Sequence, residues 1–148
     1  MYNKLRQSLV SGILATIAMT VLMVIGGAMG MPKISPPERL ARIMKVPVAA
    51  GWVMHFMIGI IFATAYVLFF NYWSRRITSK LLKGVVYGII AFIVGHFSIA
   101  ILGAVFGEAG TPQPQGSPVL RLIGVVVAHI VFGITVALVV KPVTPVTK

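Results

Sequence analysis

Acidic residues are nearly absent from this chain. Its 148 residues hold only Glu38 and Glu108 against thirteen Lys and Arg, and there is no cysteine. The missing thiols exclude disulfides, thiolate metal ligands and cysteine nucleophiles. The missing acids leave no carboxylate inside any apolar stretch, where a small cation exporter would need one. Charged residues make up 10% of the sequence, against about 25% in a soluble domain. That is too little polar surface to coat a water-soluble globule. There is also no P-loop, dinucleotide fingerprint, metalloprotease helix or nucleophile–base–orienter set at motif spacing, so an enzyme is not expected.

Apolar residues account for 58% of the chain and the mean hydropathy is +0.99. They gather into four stretches, about 9–31, 49–73, 81–106 and 119–140, each without a formal charge in its middle. A bilayer span needs about 20 such residues, and in lipid every backbone N–H and C=O must be bonded within the protein. The expected fold is therefore all-α: an integral membrane four-helix bundle, one transmembrane domain over 1–148. The N-terminal Met1-Tyr2-Asn3-Lys4-Leu5-Arg6 has the look of a signal-peptide start. The following apolar run is long enough to span, however, and reads as a retained helix.

The formal charge is +11, but no continuous basic face exists to hold a nucleic acid, and none is expected as a partner. The basic residues sit at the ends of the apolar runs, where they meet the headgroups of the lipid bilayer. Lys4, Arg6, Arg75, Arg76, Lys80, Lys83, Lys141 and Lys148 fall on one side; Lys33, Arg39, Arg42, Lys45 and Arg121 fall on the other. The excess predicts that both termini are cytoplasmic. Arg39, Arg42, Lys45, Arg75, Arg76, Lys80 and Lys83 are the expected membrane-surface set. Trp52 near one interface, and Tyr72 with Trp73 near the other, form an aromatic belt.

The first outer connection is expected to be structured. Ser35-Pro36-Pro37-Glu38 has the pattern of a capping box with proline at the first helical position. A short interfacial helix over about 36–45 follows, with Leu40, Ile43 and Met44 on one side. It reads as a lid that seals the bundle or as a surface for a partner. Residues 108–118 are turn chemistry, and 141–148 read as an extended tail.

The chain carries an internal repeat. His55 to Ala63 and His129 to Ala137 both read H-x-x-x-G-I-x-x-A. The first and third stretches both end in G-x-x-x-G, at Gly26/Gly30 and Gly103/Gly107. This predicts two pseudo-repeated helical hairpins related by an axis along the membrane normal. His55 and His129 would then share one depth, roughly 9 Å below the interface at 1.5 Å per residue. His96 would lie somewhat deeper. Small residues mark faces where helices approach closely. Gly26, Gly30, Gly59, Gly103, Gly107 and Gly133 are the expected packing positions. Gly84, Gly88, Phe92, His96 and Ala100 form one stripe, and Thr16 and Thr20 share a face. All three histidines are accordingly placed on packed faces.

At these residues the chain resembles the YagU-like group of small bacterial inner-membrane proteins. The likeness lies in Met54 to Tyr66, in Val94-Gly95-His96-Phe97-Ser98-Ile99-Ala100 before Gly103, and in Ala128-His129-Ile130-Val131-Phe132. It covers most of the last hundred residues. It implies a four-span fold with three buried histidines, seated in the bacterial inner membrane, and little chemistry.

An ionisable side chain inside a membrane is a functional hypothesis by default. Three readings of the histidines stay open. They could be structural, bonded to Thr20, Tyr66 or Ser98. They could form a cofactor-binding site, with His55, His129 and His96 holding haem, or His55 and His129 holding a metal ion. Met19, Met23, Met54 and Met57 would then be soft ligands for Cu(I). They could also line a proton or ion relay. The leading expectation is a non-enzymatic accessory subunit that assembles with other membrane subunits or with itself. A small oligomeric transporter or channel is the runner-up.

Overall fold

The computed structural model describes residues 2–107 and 116–141. Most of the 108–118 turn segment, Glu108 included, and the tail beyond Lys141 lie outside them. The described residues form helices and connections only: α1 (Tyr2–Ala28), α2 (Pro36–Met44), α3 (Val48–Trp73), α4 (Lys80–Phe106) and α5 (Pro118–Val139). All but α2 are long and apolar enough to cross a membrane. Their outward residues, among them Leu14, Val21, Ile61, Phe97, Ile101 and Leu122, are exposed and apolar. Such a surface is stable against lipid and not against water.

Helix ends are set locally. α1 starts at Tyr2, earlier than the apolar run, because Asn3, Lys4 and Gln7 tolerate helix where their side chains reach water. It stops at Ala28 and not at Met31. Gly30 takes φ +91°, a left-handed conformation open to glycine, and Pro32 follows. Ser79 and Ser117 cap α4 and α5 by accepting from the N–H of Leu82 and Leu120. Ser35 precedes α2 but makes no side-chain cap bond. Pro36 and Pro37 occupy the first helical positions and have no N–H to satisfy. Glu38 pairs instead with Arg42, at 3.9 Å on the surface.

α1 packs on α3, α4 on α5, and α1 on α5, while α2 lies on the start of α3. α4 and α3 meet through side chains: the Tyr87 hydroxyl donates to the Phe62 carbonyl, and Tyr66, Phe70 and Tyr87 stack with ring centres 4.9–5.5 Å apart. This cluster fills the bundle between its middle and the end that holds the termini. Within α3 the helix widens to a π-turn at Tyr66–Phe70. The extra residue rotates the last turn of the helix, so that Asn71 and Ser74 face inward and are buried.

The two ends of the bundle differ. At the tail end, Asn71 donates to the Lys141 carbonyl at 3.0 Å, and the Lys141 N–H donates to Gln7 Oε1 at 2.8 Å. The start of α1 and the ends of α3 and α5 are thereby tied together. At the cap end, α2 buries Pro37, Leu40, Ala41 and Ile43. Trp52 lies near the cap end and Trp73 at the tail end. Twenty-one residues of helix at 1.5 Å each put them roughly 30 Å apart, about the thickness of a hydrocarbon core.

Candidate functional site

The hairpins pack with one register. In α1–α3, a Cβ on Gly12 would lie 2.7 Å from Ile60 Cα, and one on Gly59 would strike Thr16. In α4–α5, a Cβ on Gly84 would strike Ile134 Cα, and one on Gly133 would lie 2.8 Å from Gly88 Cα. Ile60 and Ile134 both follow the glycine of the H-x-x-x-G-I repeat. Gly12 therefore corresponds to Gly84 and Thr16 to Gly88. Between hairpins the equivalence fails: α1 packs closely on α5, whereas α3 and α4 are held apart by rings.

This register decides where each histidine points. His55, buried at 7% exposure, meets Thr20 of α1, with Nε2 3.3 Å from Oγ1. Trp52 and Phe56 flank its ring. His129 is half-buried and turns toward α4, with Phe92 edge-on at 5.7 Å. Its Nδ1 lies 2.8 Å from the Val125 carbonyl. A carbonyl only accepts, so Nδ1 carries the proton and Nε2 is left with a lone pair. That lone pair faces the bare Cα of Gly95, where a Cβ would sit 3.6 Å from it and 4.0 Å from Phe62.

His96 departs from expectation. It is exposed on the outward side of α4, with its ring centre 5.7 Å from that of Phe92. The four-residue stripe is less covered after Phe92, although Gly95 still faces His129 and Phe62 and α2 still touches α4. From Ile93 to Val105 only Gly103 is buried. His55 and His129 thus address different helices, and His96 addresses neither. Among the described residues no three His, Asp or Glu side chains converge to hold a metal ion. Met19 and Met23 are buried in α1, Met54 is half-buried and Met57 is 55% exposed, so the methionines do not gather either. Ser98 bonds the Val94 carbonyl rather than a histidine.

Two cavities open at the cap end, one of about 610 Å³ beside Lys33 and Ser117, the other of about 240 Å³ between α1 and α5 beside Met23 and Met31. Neither is lined by a histidine. The chain matches, over residues 2–148, the family described as "Family of unknown function (DUF6789)". It belongs to that family. No curated protein and no solved structure matches it.

The other expected positions in this DUF6789 member divide cleanly. Gly59 and Gly133 lie in helix contacts. Gly30 and Gly107 have positive φ, and a Cβ on either would meet nothing within 4 Å, so they end helices and pack against none. Gly26 lies near the Met31 side chain of its own turn, and Gly103 is buried. Gly12 and Gly51 are close-approach glycines that the G-x-x-x-G pattern does not mark. The H-x-x-x-G-I register points to Gly12 once the hairpin partner is known. Arg42, Lys45, Arg75, Arg76 and Lys80 are exposed and Arg39 is half-buried. Arg75 lies over the Tyr72 ring at 4.8 Å. Lys83 is the exception in the surface set: it is buried, at 8% exposure.

Proposed function

We propose that this chain is a non-enzymatic accessory subunit of a membrane complex, and that it docks through the cap-end half of α4. The observation that carries this reading is His96. Its imidazole projects outward at mid-span, among the exposed Ile93, Val94, Phe97 and Ile101. A donor–acceptor ring facing hydrocarbon is costly, and a neighbouring transmembrane helix with a hydrogen-bonding side chain removes the cost. The occupant proposed is such a helix from another membrane protein. The charge excess at the tail end supports a bacterial inner-membrane placement with cytoplasmic termini. The likeness to the YagU-like group rests on motifs in α3, α4 and α5 and adds no chemistry.

A photo-crosslinker at Phe97 or Ile101 in native membranes should give one adduct of fixed mass, distinct from the dimer, and His96→Leu should abolish it. The same probe at Ile61 on α3 should give none. Equal labelling from α3 and α4, or an adduct indifferent to His96→Leu, defeats the proposal.

A second reading takes His129, whose Nε2 has no hydrogen-bond partner among the described residues, as the residue that would hold haem. The fit stops there, since His55 pairs with Thr20 and neither described cavity reaches His129. A Soret band absent from the purified wild type, or one unchanged in His129→Ala, removes it. A proton relay is less well supported, because it would have to cross the Tyr66–Phe70–Tyr87 plug.

A further inference from the structure

α1 ends by folding back on itself. Gly30 takes φ +91° and the Met31 N–H donates to the Gly26 carbonyl at 3.0 Å, the bond pattern of a Schellman end. A Cβ on Gly26 would lie 3.5 Å from Met31 Sδ, so the Met31 side chain returns over the last turns of α1. The connection then crosses to α5, where a Cβ on Gly124 would lie 3.1 Å from Ile34 Cδ1 and 3.4 Å from Met31 Cε. Met31 and Ile34 thereby roof the gap between α1 and α5 without filling it. A cavity of about 240 Å³ remains against them.

The wall of this cavity carries only apolar residues, glycine and proline. It reaches Val127 on α5, roughly 13 Å along the helix from Pro118 at 1.5 Å per residue. Ile25, Ile123 and Val127 along its edge are exposed, so it opens toward the hydrocarbon around the bundle. Water finds no polar partner in such a space and does not enter it. Left empty, the space would deprive its lining of contacts. A hydrocarbon chain supplies them. Met23, Met29 and Met31 give the wall unbranched side chains that adapt to a flexible occupant.

The mouth of this slot is cationic. A Cβ on Gly27, a wall residue, would lie 3.8 Å from Lys33 Cγ, so the Lys33 stem rests on the wall. Lys33 is exposed and also lines the larger cavity of about 610 Å³, with which the slot shares Pro32. Glu38, the only acid among the described residues, pairs with Arg42. The Lys33 charge is left for an anion from outside.

We propose that the slot between α1 and α5 seats one acyl chain of an anionic phospholipid, whose headgroup Lys33 attracts at the cap-end surface. A long hydrocarbon chain joined to a negative head matches both halves of the site. The site is independent of the docking of α4.

The test uses the full chain in phosphatidylcholine nanodiscs holding a trace of phosphatidylglycerol with a photoreactive diazirine in mid-chain. After irradiation the labelled peptides are mapped by mass spectrometry. Adducts should fall on residues 22–27 and 123–127 several-fold more than on the exposed Ile61 and Phe97. Phosphatidylcholine carrying the same diazirine should mark the slot about five-fold less. Lys33→Met, at an exposed position, should bring the phosphatidylglycerol labelling down to that level. Gly27→Leu and Val127→Phe each place a side chain in the slot, and both should abolish its labelling while that of Ile61 stays unchanged. Helix content by circular dichroism confirms that these two variants are folded. Even labelling of every exposed apolar face would mean bulk lipid only and would overturn the proposal. So would equal labelling by the two lipids, or an unlabelled slot, covered by another segment of this chain or by a second copy.

Discussion

Gly133 and Gly95 show how one missing atom has opposite meanings on two helices. A Cβ on Gly133 would run into Gly84 and Gly88 backbone, which cannot move without separating α4 from α5. Gly133→Ala should cost about 3 kcal/mol, the upper end of overpacking, and lower the thermal midpoint in detergent. A Cβ on Gly95 meets only ordinary contacts at 3.6 and 4.0 Å. Gly95→Ala should leave the midpoint within experimental error while covering the His129 lone pair. His55 pairs with Thr20 across two helices. Its Thr20 contact joins α1 to α3 in a protected setting, so Thr20→Val should cost about 1 kcal/mol in the same melt. A loss as large as that of Gly133→Ala would mean that His55 does more than pair with Thr20.

Among the elements, α2 has the most separable role. It buries its apolar side on α3 and meets it at Gly51, where a Cβ would collide with the Pro37 carbonyl and lie 3.0 Å from Ala41 Cβ. Gly51→Val should lift α2 without disturbing the four long helices. Limited trypsin digestion should then cut at Arg39 or Arg42 several-fold faster, with helix content unchanged. An unchanged cutting rate would show that the contact is not what holds α2 down. The π-turn in α3 is the counterpart at the tail end: the extra residue brings Asn71 round to the Lys141 carbonyl.

At the scale of the whole molecule, the two hairpins repeat internally but are not joined symmetrically. α1 and α5 make the inner seam, α3 and α4 are bridged by aromatic rings, and most side chains in the cap-end half of α4 are exposed. The tail-end clasp of Gln7, Asn71 and Lys141 closes the arrangement. Asn71→Ala removes one bond of that clasp and should cost about 1 kcal/mol, read as a lower detergent-unfolding midpoint. The charge excess on that end predicts that reporter fusions at both termini are active on the cytoplasmic side. Reporters active on opposite sides would contradict the even number of crossings.

Hydropathy alone determined that the chain forms four long helices, because lipid permits a backbone no other way to bond itself over such lengths. The H-x-x-x-G-I repeat was legible for the same local reason: a glycine and its neighbour seat one partner helix whatever else surrounds them. Which face each helix turns to a third or fourth helix is not a local property. His96 shares a stripe with Gly84 and Gly88, yet it is exposed while Gly95 beside it still faces His129. Lys83 reads as one more surface cation, yet it is buried. Gly30 and Gly107 look like packing glycines and instead end helices, since a left-handed φ does not register in a spacing pattern. Those outcomes depend on how helices diverge in space, and only the tertiary structure decided them.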